Sequence, residues 1–406
     1  MNRKSFLWNM LGSSVYAAAT ILFTMIAKRV GGVEDGEAFY MAFTTGQMLL
    51  TLGYFEIRPF QSTDVNEQYK AEDYFGFRLL TSALMLVSAL GVCAVYGIFR
   101  GTAFTGLVLI FLMTAYKMFD ALSDVMEGEF QRRERMDLSG KSMFLRVSLA
   151  LIVFVLTEYL TGNLILTSIL TVAAALAAFL FIDVPWMRKM EKISVSFSRI
   201  GGLFNSTILL FLGSAMCMWI WNGTKYVVEW TMDATSTLVY GIVFMPTMVI
   251  NLGSGFLFKP MLTSLTRDYT GGDRKNFVKR ISLLLAATVG MTLVAMLGAY
   301  LLGVPVLSLI FKEDLTPYRS LLLILLAGGG LNSMGILFYY ALTVMRRTGL
   351  IFIGYIAVMA ASVPLPILMT RAWGLSGAAC SYCILMLIQL VIFGGMTFWG
   401  LFRNKK

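Results

Sequence analysis

The sequence predicts an all-α integral membrane protein: twelve transmembrane helices in two parallel-repeat six-helix lobes, residues 1–195 and 196–406, around a central cavity. Three observations carry that expectation. The 406 residues are 58% hydrophobic and only 14% charged, with a mean hydropathy of +0.75, whereas soluble chains run at about 45–50% apolar and about 25% charged. The apolar residues gather in long continuous runs, and a helix needs about 20 of them to cross a bilayer. The order of polar landmarks in the first half recurs in the second.

Twelve runs qualify: Phe6–Ala27, Ala38–Ile57, Leu79–Phe99, Ala103–Phe119, Met143–Leu160, Leu164–Pro185, Leu203–Trp221, Ser236–Phe258, Ile281–Leu302, Leu321–Val344, Leu350–Met369 and Leu375–Phe402. They are continuous rather than alternating, which fits helices and not the strands of a barrel, the two forms whose backbone is satisfied in hydrocarbon. The first run is too long for a signal-peptide core and no small-residue cleavage site follows it, so it reads as an uncleaved span. Pro246, Pro364 and Pro366 fall within runs and are expected to kink them. Cys93, Cys217, Cys380 and Cys383 all lie within apolar runs. The Cys380-x-x-Cys383 pair has no partner motif and is read as packing.

Loop charge sets the orientation. With the N-terminus inside, 26 of the 33 Lys and Arg residues fall on inside segments and 7 outside, which places both termini in the cytoplasm. The net charge of +10 then reflects topology and an anionic inner leaflet, and nucleic acid is not an expected partner. Histidine is absent, so no His-containing metal site, Ser-His-Asp triad or Cys-His dyad can form. Gly223-Thr224-Lys225 lacks the upstream glycine of a phosphate-binding loop, and Gly328-Gly329-Gly330, inside a run, reads as a close-packing device. No outside loop exceeds the eighteen residues of Gly303–Ser320, too short for a catalytic domain. Neither enzymatic activity nor a cofactor is expected.

The repeat is read from matched landmarks. Arg58-Pro59 closes the second run and Lys259-Pro260 the eighth, 201 residues on. Polar loops follow both, ending at Phe75 and Arg78 in one half and at Phe277 and Arg280 in the other. Arg132-Arg133 corresponds to Arg346-Arg347, Lys28 to Lys225, and Tyr40 to Tyr240. Six helices per repeat keep both halves in one orientation, and transporters so built bind substrate between the halves near the midplane.

These residues carry a resemblance. Twelve runs in about 400 residues, a short basic start before Trp8-Asn9, the stretch from Tyr240 through Pro246, Asn251 and Phe258-Lys259-Pro260 to Tyr269, and Gln61-Ser62-Thr63-Asp64 ahead of Asp73-Tyr74-Phe75 are similar to Wzx-type polysaccharide flippases. That family belongs to the superfamily that also contains the MATE drug exporters. The resemblance implies a bacterial cytoplasmic-membrane protein that moves an undecaprenyl-pyrophosphate-linked oligosaccharide by alternating access. It also implies contact with membrane lipids and with polymerase or other polysaccharide-assembly proteins. The second reading is a MATE-like ion-coupled exporter of drugs or small organic cations.

Ionisable residues at membrane depth are costly and are therefore functional candidates. Lys117, Asp120, Asp124 and Glu127, spaced 3, 4 and 3, share one helical face. Either this helix leaves the membrane near Phe119 and the charges meet cytoplasm, or the face lines a polar cavity. Lys28 and Lys225 either contact a substrate phosphate or snorkel to headgroups. The same two readings apply to Arg146. The expected substrate-binding set is therefore Lys117, Lys28, Lys225 and Arg146. Without histidine, proton coupling needs carboxylates, and Asp120, Asp124 and Glu56 are the candidates. Trp219, Trp221 and Trp230 read as interfacial anchors or sugar platforms.

Overall fold

Hydropathy and helix coincide along the chain. The computed structural model describes residues 3–63, 68–133, 135–345 and 347–403, and its regular elements are all helical among the described residues. In order they are α1 (Arg3–Tyr54), α2 (Ile57–Thr63), α3 (Ala71–Arg100), α4 (Phe104–Arg132), α5 (Met136–Thr161), α6 (Leu164–Ala178), α7 (Val184–Arg188) and α8 (Ile200–Thr231). Then follow α9 (Ala234–Phe244), α10 (Pro246–Thr270), α11 (Arg274–Gly298), α12 (Val304–Phe311), α13 (Arg319–Val344), α14 (Thr348–Ser362) and α15 (Pro364–Arg403). The protein is a multi-pass membrane protein: among the described residues ten helical stretches are long and apolar enough to span a bilayer.

Ten stretches and twelve expected spans differ by two breaks. The first and last stretches hold 55 and 53 residues, about twice what one crossing needs. Each contains a non-helical glycine: Gly32 at φ 88° within α1 and Gly374 at φ 59° within α15. Only glycine takes such backbone angles without steric cost. Divided there, the ten stretches become twelve segments.

Several expected limits need correction. The fourth run was expected to end at Phe119, but α4 continues to Arg132, because buried basic partners cover its charged face. Lys28 and Arg29 were expected in an outside loop, yet the helix carries them up to the break at Gly32. Lys225 is likewise inside α8, which runs to Thr231. Pro246 and Pro364 each stand first in a helix whose predecessor ends just before them, since proline removes a donor and clashes with the preceding turn. Pro366 lies inside α15 without interrupting it. Pro185 and Pro305 follow π-helical turns at Phe179–Asp183 and Ala299–Gly303, where the ladder widens ahead of the missing donor. Asp64 of the family resemblance and Arg346 of the repeat pattern lie outside the described residues, as do the side chains of Lys259 and Pro260.

The chain divides into two compact units, Met1–Ala215 and Met216–Lys406, with the boundary inside α8. In the first unit α1 packs along α3, α4 and α5. Phe23, Phe39, Phe43 and Phe154 form its aromatic centre, with Phe23 and Phe154 centroids 4.8 Å apart. Backbones of α1 and α5 meet without side chains between them: a Cβ on Gly140 would lie 2.4 Å from the Trp8 carbonyl carbon, and one on Gly12 2.7 Å from the Gly140 oxygen. Close approach through small residues is how membrane helices pack without a hydrophobic driving force. Gly140→Leu is expected to cost about 1–3 kcal/mol as an overpacking change, seen as a lowered unfolding temperature in detergent. An unchanged temperature would contradict this crossing.

In the second unit α13 is central, packing on α10, α11 and α15. Its three consecutive glycines each meet a different neighbour. Added Cβ atoms would lie 2.6 Å from the Tyr382 ring at Gly328, 3.1 Å from Thr247 at Gly329 and 2.5 Å from Thr292 at Gly330. The triplet is a packing device, as its position in an apolar run implied.

Candidate functional site

The charged face of α4 is the most polar buried region of the first unit. Lys117, Asp120, Asp124 and Glu127 are all buried, so they are not bathed in solvent. Lys117 Nζ donates to Asp120 Oδ2 at 3.1 Å and to the Tyr16 hydroxyl at 3.0 Å, and lies 4.4 Å from the Tyr16 ring centre. Arg146, from α5, donates to Asp120 Oδ1 at 3.2 Å and reaches Glu127 and Asp183 at 3.5 Å each. Arg58, from α2, donates to Asp124 at 3.2 Å and Glu127 at 2.8 Å. Arg78, from α3 and fully buried, donates to Asp124 at 2.7 Å and to the Gly53 carbonyl. Asp183, just ahead of Pro185, also accepts from Ser123 and Ser142.

Four cations, Arg58, Arg78, Lys117 and Arg146, thus meet four carboxylates, Asp120, Asp124, Glu127 and Asp183. A buried ion is tolerated only when paired and hydrogen-bonded, and here the formal charges cancel. This network joins α2, α3, α4 and α5 and orders the link between α1 and α2. There Phe55 and Glu56 both adopt left-handed backbone angles, φ 44° and 52°. Phe55 stacks on Phe211 with centroids 4.2 Å apart, and Glu56 is half-buried.

The second unit holds a different kind of cation. Lys225 is buried; its Nζ donates to Asn222 Oδ1 at 2.9 Å and lies 4.2 Å from the Phe244 ring centre and 5.5 Å from that of Trp221. No carboxylate pairs with it among the described residues. The same part of the unit holds two neighbouring polar pairs, Tyr240 with Thr224 and Tyr382 with Trp221. The Phe244 ring contacts those of Tyr240 and Tyr382 at 6.0 and 4.9 Å. Aromatic faces hold an ammonium by their quadrupole but leave its charge uncancelled. The site can therefore offer a cation to an anion.

Of the expected residues, Lys117, Arg146, Asp120 and Asp124 are brought together. Glu56 stands in the link beside them. Lys28 is buried with its stem against Gly36, where a Cβ would lie 2.7 Å from the Lys28 Cβ. Lys225 sits in the other unit. Trp219 stacks parallel to Tyr226 with centroids 6.1 Å apart, and Trp230 is 46% exposed. Sequence reasoning missed Asp183 and Glu158, both fully buried carboxylates. They stand inside the apolar runs Leu164–Pro185 and Met143–Leu160, so the rule that singled out α4 applies to them equally. Arg78 was read as part of a polar loop and is instead a buried pivot.

Comparison with known proteins bears out the superfamily likeness. No family model matches the chain. The capsular polysaccharide biosynthesis protein CapF of Staphylococcus aureus is 24% identical over 335 residues, covering 80% of this chain and 81% of CapF. An inward-facing MATE-family multidrug resistance transporter of the MOP superfamily superposes with a TM-score of 0.72 at 12% identity, over 96% of each chain. A MOP-superfamily transporter of Pyrococcus furiosus, described as having a binding pocket of reversed polarity, gives 0.67 at 13% identity, over 98% of this chain and 94% of its own. The MATE transporter VcmN of Vibrio cholerae in its bent form gives 0.64 at 11%, over 99% and 97%. The chain therefore has the fold of the MATE transporters.

Proposed function

We propose that the protein is a flippase carrying a polyprenyl-pyrophosphate-linked oligosaccharide across the bacterial cytoplasmic membrane in polysaccharide biosynthesis. The observation that carries this reading is Lys225, a buried cation with no paired carboxylate. An anionic headgroup is the ligand such a site favours, and lysine suits phosphate as a point charge. The kinship with a capsular polysaccharide protein supports the same substrate class. A MOP-fold neighbour with reversed pocket polarity supports the compatibility of this fold with more than one sign of charge. Lys28 is the second cation assigned to the substrate. Lys117 and Arg146 reach it only if their ion pairs open. Asp120, Asp124 and Glu56 remain the coupling candidates read from sequence. In this scheme both termini are cytoplasmic, lipid contacts the polyprenyl tail, and polymerase or other assembly proteins receive the product. The alternative, an ion-coupled exporter of drugs or organic cations, is favoured by the names of the structural neighbours.

Deleting the protein is expected to leave one lipid-linked saccharide accumulating on the cytoplasmic leaflet, identified by mass spectrometry of extracted lipids. If no saccharide accumulates and efflux of cationic drugs falls instead, the exporter reading replaces this one.

A further inference from the structure

Seven acidic residues of the first unit are buried, and six of them are satisfied. Asp120, Asp124, Glu127 and Asp183 meet lysine or arginine as described, Glu129 accepts from Arg132 and Arg133, and Asp73 accepts from the Lys70 amide. The seventh is Glu158. It is fully buried, and neither carboxyl oxygen has a hydrogen-bond partner among the described residues. It sits one turn from the end of α5, whose cap amide, Gly162 N, bonds the Glu158 carbonyl.

The surroundings of Glu158 are polar but uncharged on most sides. The hydroxyl of Thr167 lies beside the carboxyl, and the buried Thr167 and Ser168 hydroxyls are themselves unpartnered. Helix α6, which carries them, has no ionisable residue, and α4 has only the Tyr116 phenol before Lys117. Helix α1 packs against α5 and brings Lys28, Arg29, Glu34, Asp35 and Glu37 to this end of the unit. The charge that acts on Glu158 is the Asp35 carboxylate, which has the same sign. An ionised carboxyl there would lack a cation and have the Thr167 hydroxyl alone to bond it, a state that burial disfavours. A carboxyl paired with arginine holds its charge through the ordinary pH range, whereas one without a base exchanges its proton.

We infer that Glu158 is the reversible proton site of the first unit: its carboxyl is protonated in this conformation, with the Thr167 hydroxyl positioned to accept that proton in a hydrogen bond. The proton leaves when the end of α5 becomes hydrated, giving the carboxylate. Asp120 and Asp124, by contrast, are each paired with two cations. The site assignment is independent of the cargo. Only its use, exchange of a proton with the outer solution during each transport cycle, rests on the flippase reading and its orientation.

The test is infrared difference spectroscopy of the purified full chain in liposomes, titrated with pH in sodium-free buffer. Wild type is expected to show a protonated carboxylic C=O band that disappears as pH rises. Glu158→Gln, an uncharged isostere of the protonated form, is expected to lack it while unfolding at an unchanged temperature. Asp120→Asn is expected to keep the band, and Thr167→Val to shift its frequency. A band that persists in Glu158→Gln, or one displaced by sodium at constant pH, overturns the proposal. Should Glu158→Gln fail to fold, the frequency shift in Thr167→Val decides. None of these readouts involves a saccharide, so they stand if the substrate is different. In a transport assay Glu158→Gln is expected to lose its dependence on an imposed proton gradient; retained dependence counts against the coupling role.

Discussion

Arg146→Ala is expected to destabilise the first unit by about 3–5 kcal/mol, the range for removing one partner from a buried ionic network. The guanidinium reaches Asp120, Glu127 and Asp183, and all three are essentially excluded from solvent. Its loss leaves four carboxylates to three cations in a region that water does not screen. Thermal unfolding in detergent, or the yield of monodisperse protein, reads the effect. A double variant, Arg146→Ala with Asp183→Asn, is expected to recover part of the loss, because neighbours in one network do not add. If both variants unfold like wild type, the network is not what holds α4 and α5 together.

Lys225→Met is expected to move in two directions at once. Methionine keeps much of the apolar stem and removes the charge, so burial no longer opposes folding, and stability should hold or rise. Transport of a pyrophosphate-linked saccharide in liposomes should fall by about 10- to 100-fold, the equivalent of one charge-assisted hydrogen bond of about 1.5–3 kcal/mol. A structural lysine predicts the reverse pair of results. Unaltered transport with unaltered stability removes Lys225 from the site.

The physical difference between these lysines and arginines is legible only in three dimensions. Lys117 and Lys225 both sit in apolar sequence, and hydropathy does not separate them. One faces a carboxylate three residues away, the other an asparagine three residues back. Their helical spacing was readable, but the arginines that complete the first network come from α2, α3 and α5, and folding decides that they converge. Glu158 shows the opposite failure. Its position inside an apolar run was visible, yet a single acidic residue near a helix end looks like an interfacial one until its neighbours are known. Of the two readings of the fourth helix, the one in which its charges meet cytoplasm failed for a related reason. A charged face reads as solvent-facing unless its counter-ions, 19 to 69 residues away, are brought to it.

By itself the sequence determined that this protein lives in a bilayer, that its spans are helices, and which superfamily it resembles. Each follows from quantities summed along the chain: apolar length against bilayer thickness, and basic residues against one leaflet. Glycine as the residue able to break α1 and α15 was also local information. The tertiary structure decided which buried charges are cancelled and which remain. Coulomb interactions and desolvation depend on distance in space, and residues apart in the chain, such as Arg58 and Glu127, become partners only when helices pack. The twelve apolar runs define the membrane protein; among the described residues, the packing of α1 to α6 leaves Glu158 without a cation, and that of α8, α9 and α15 leaves Lys225 without an anion.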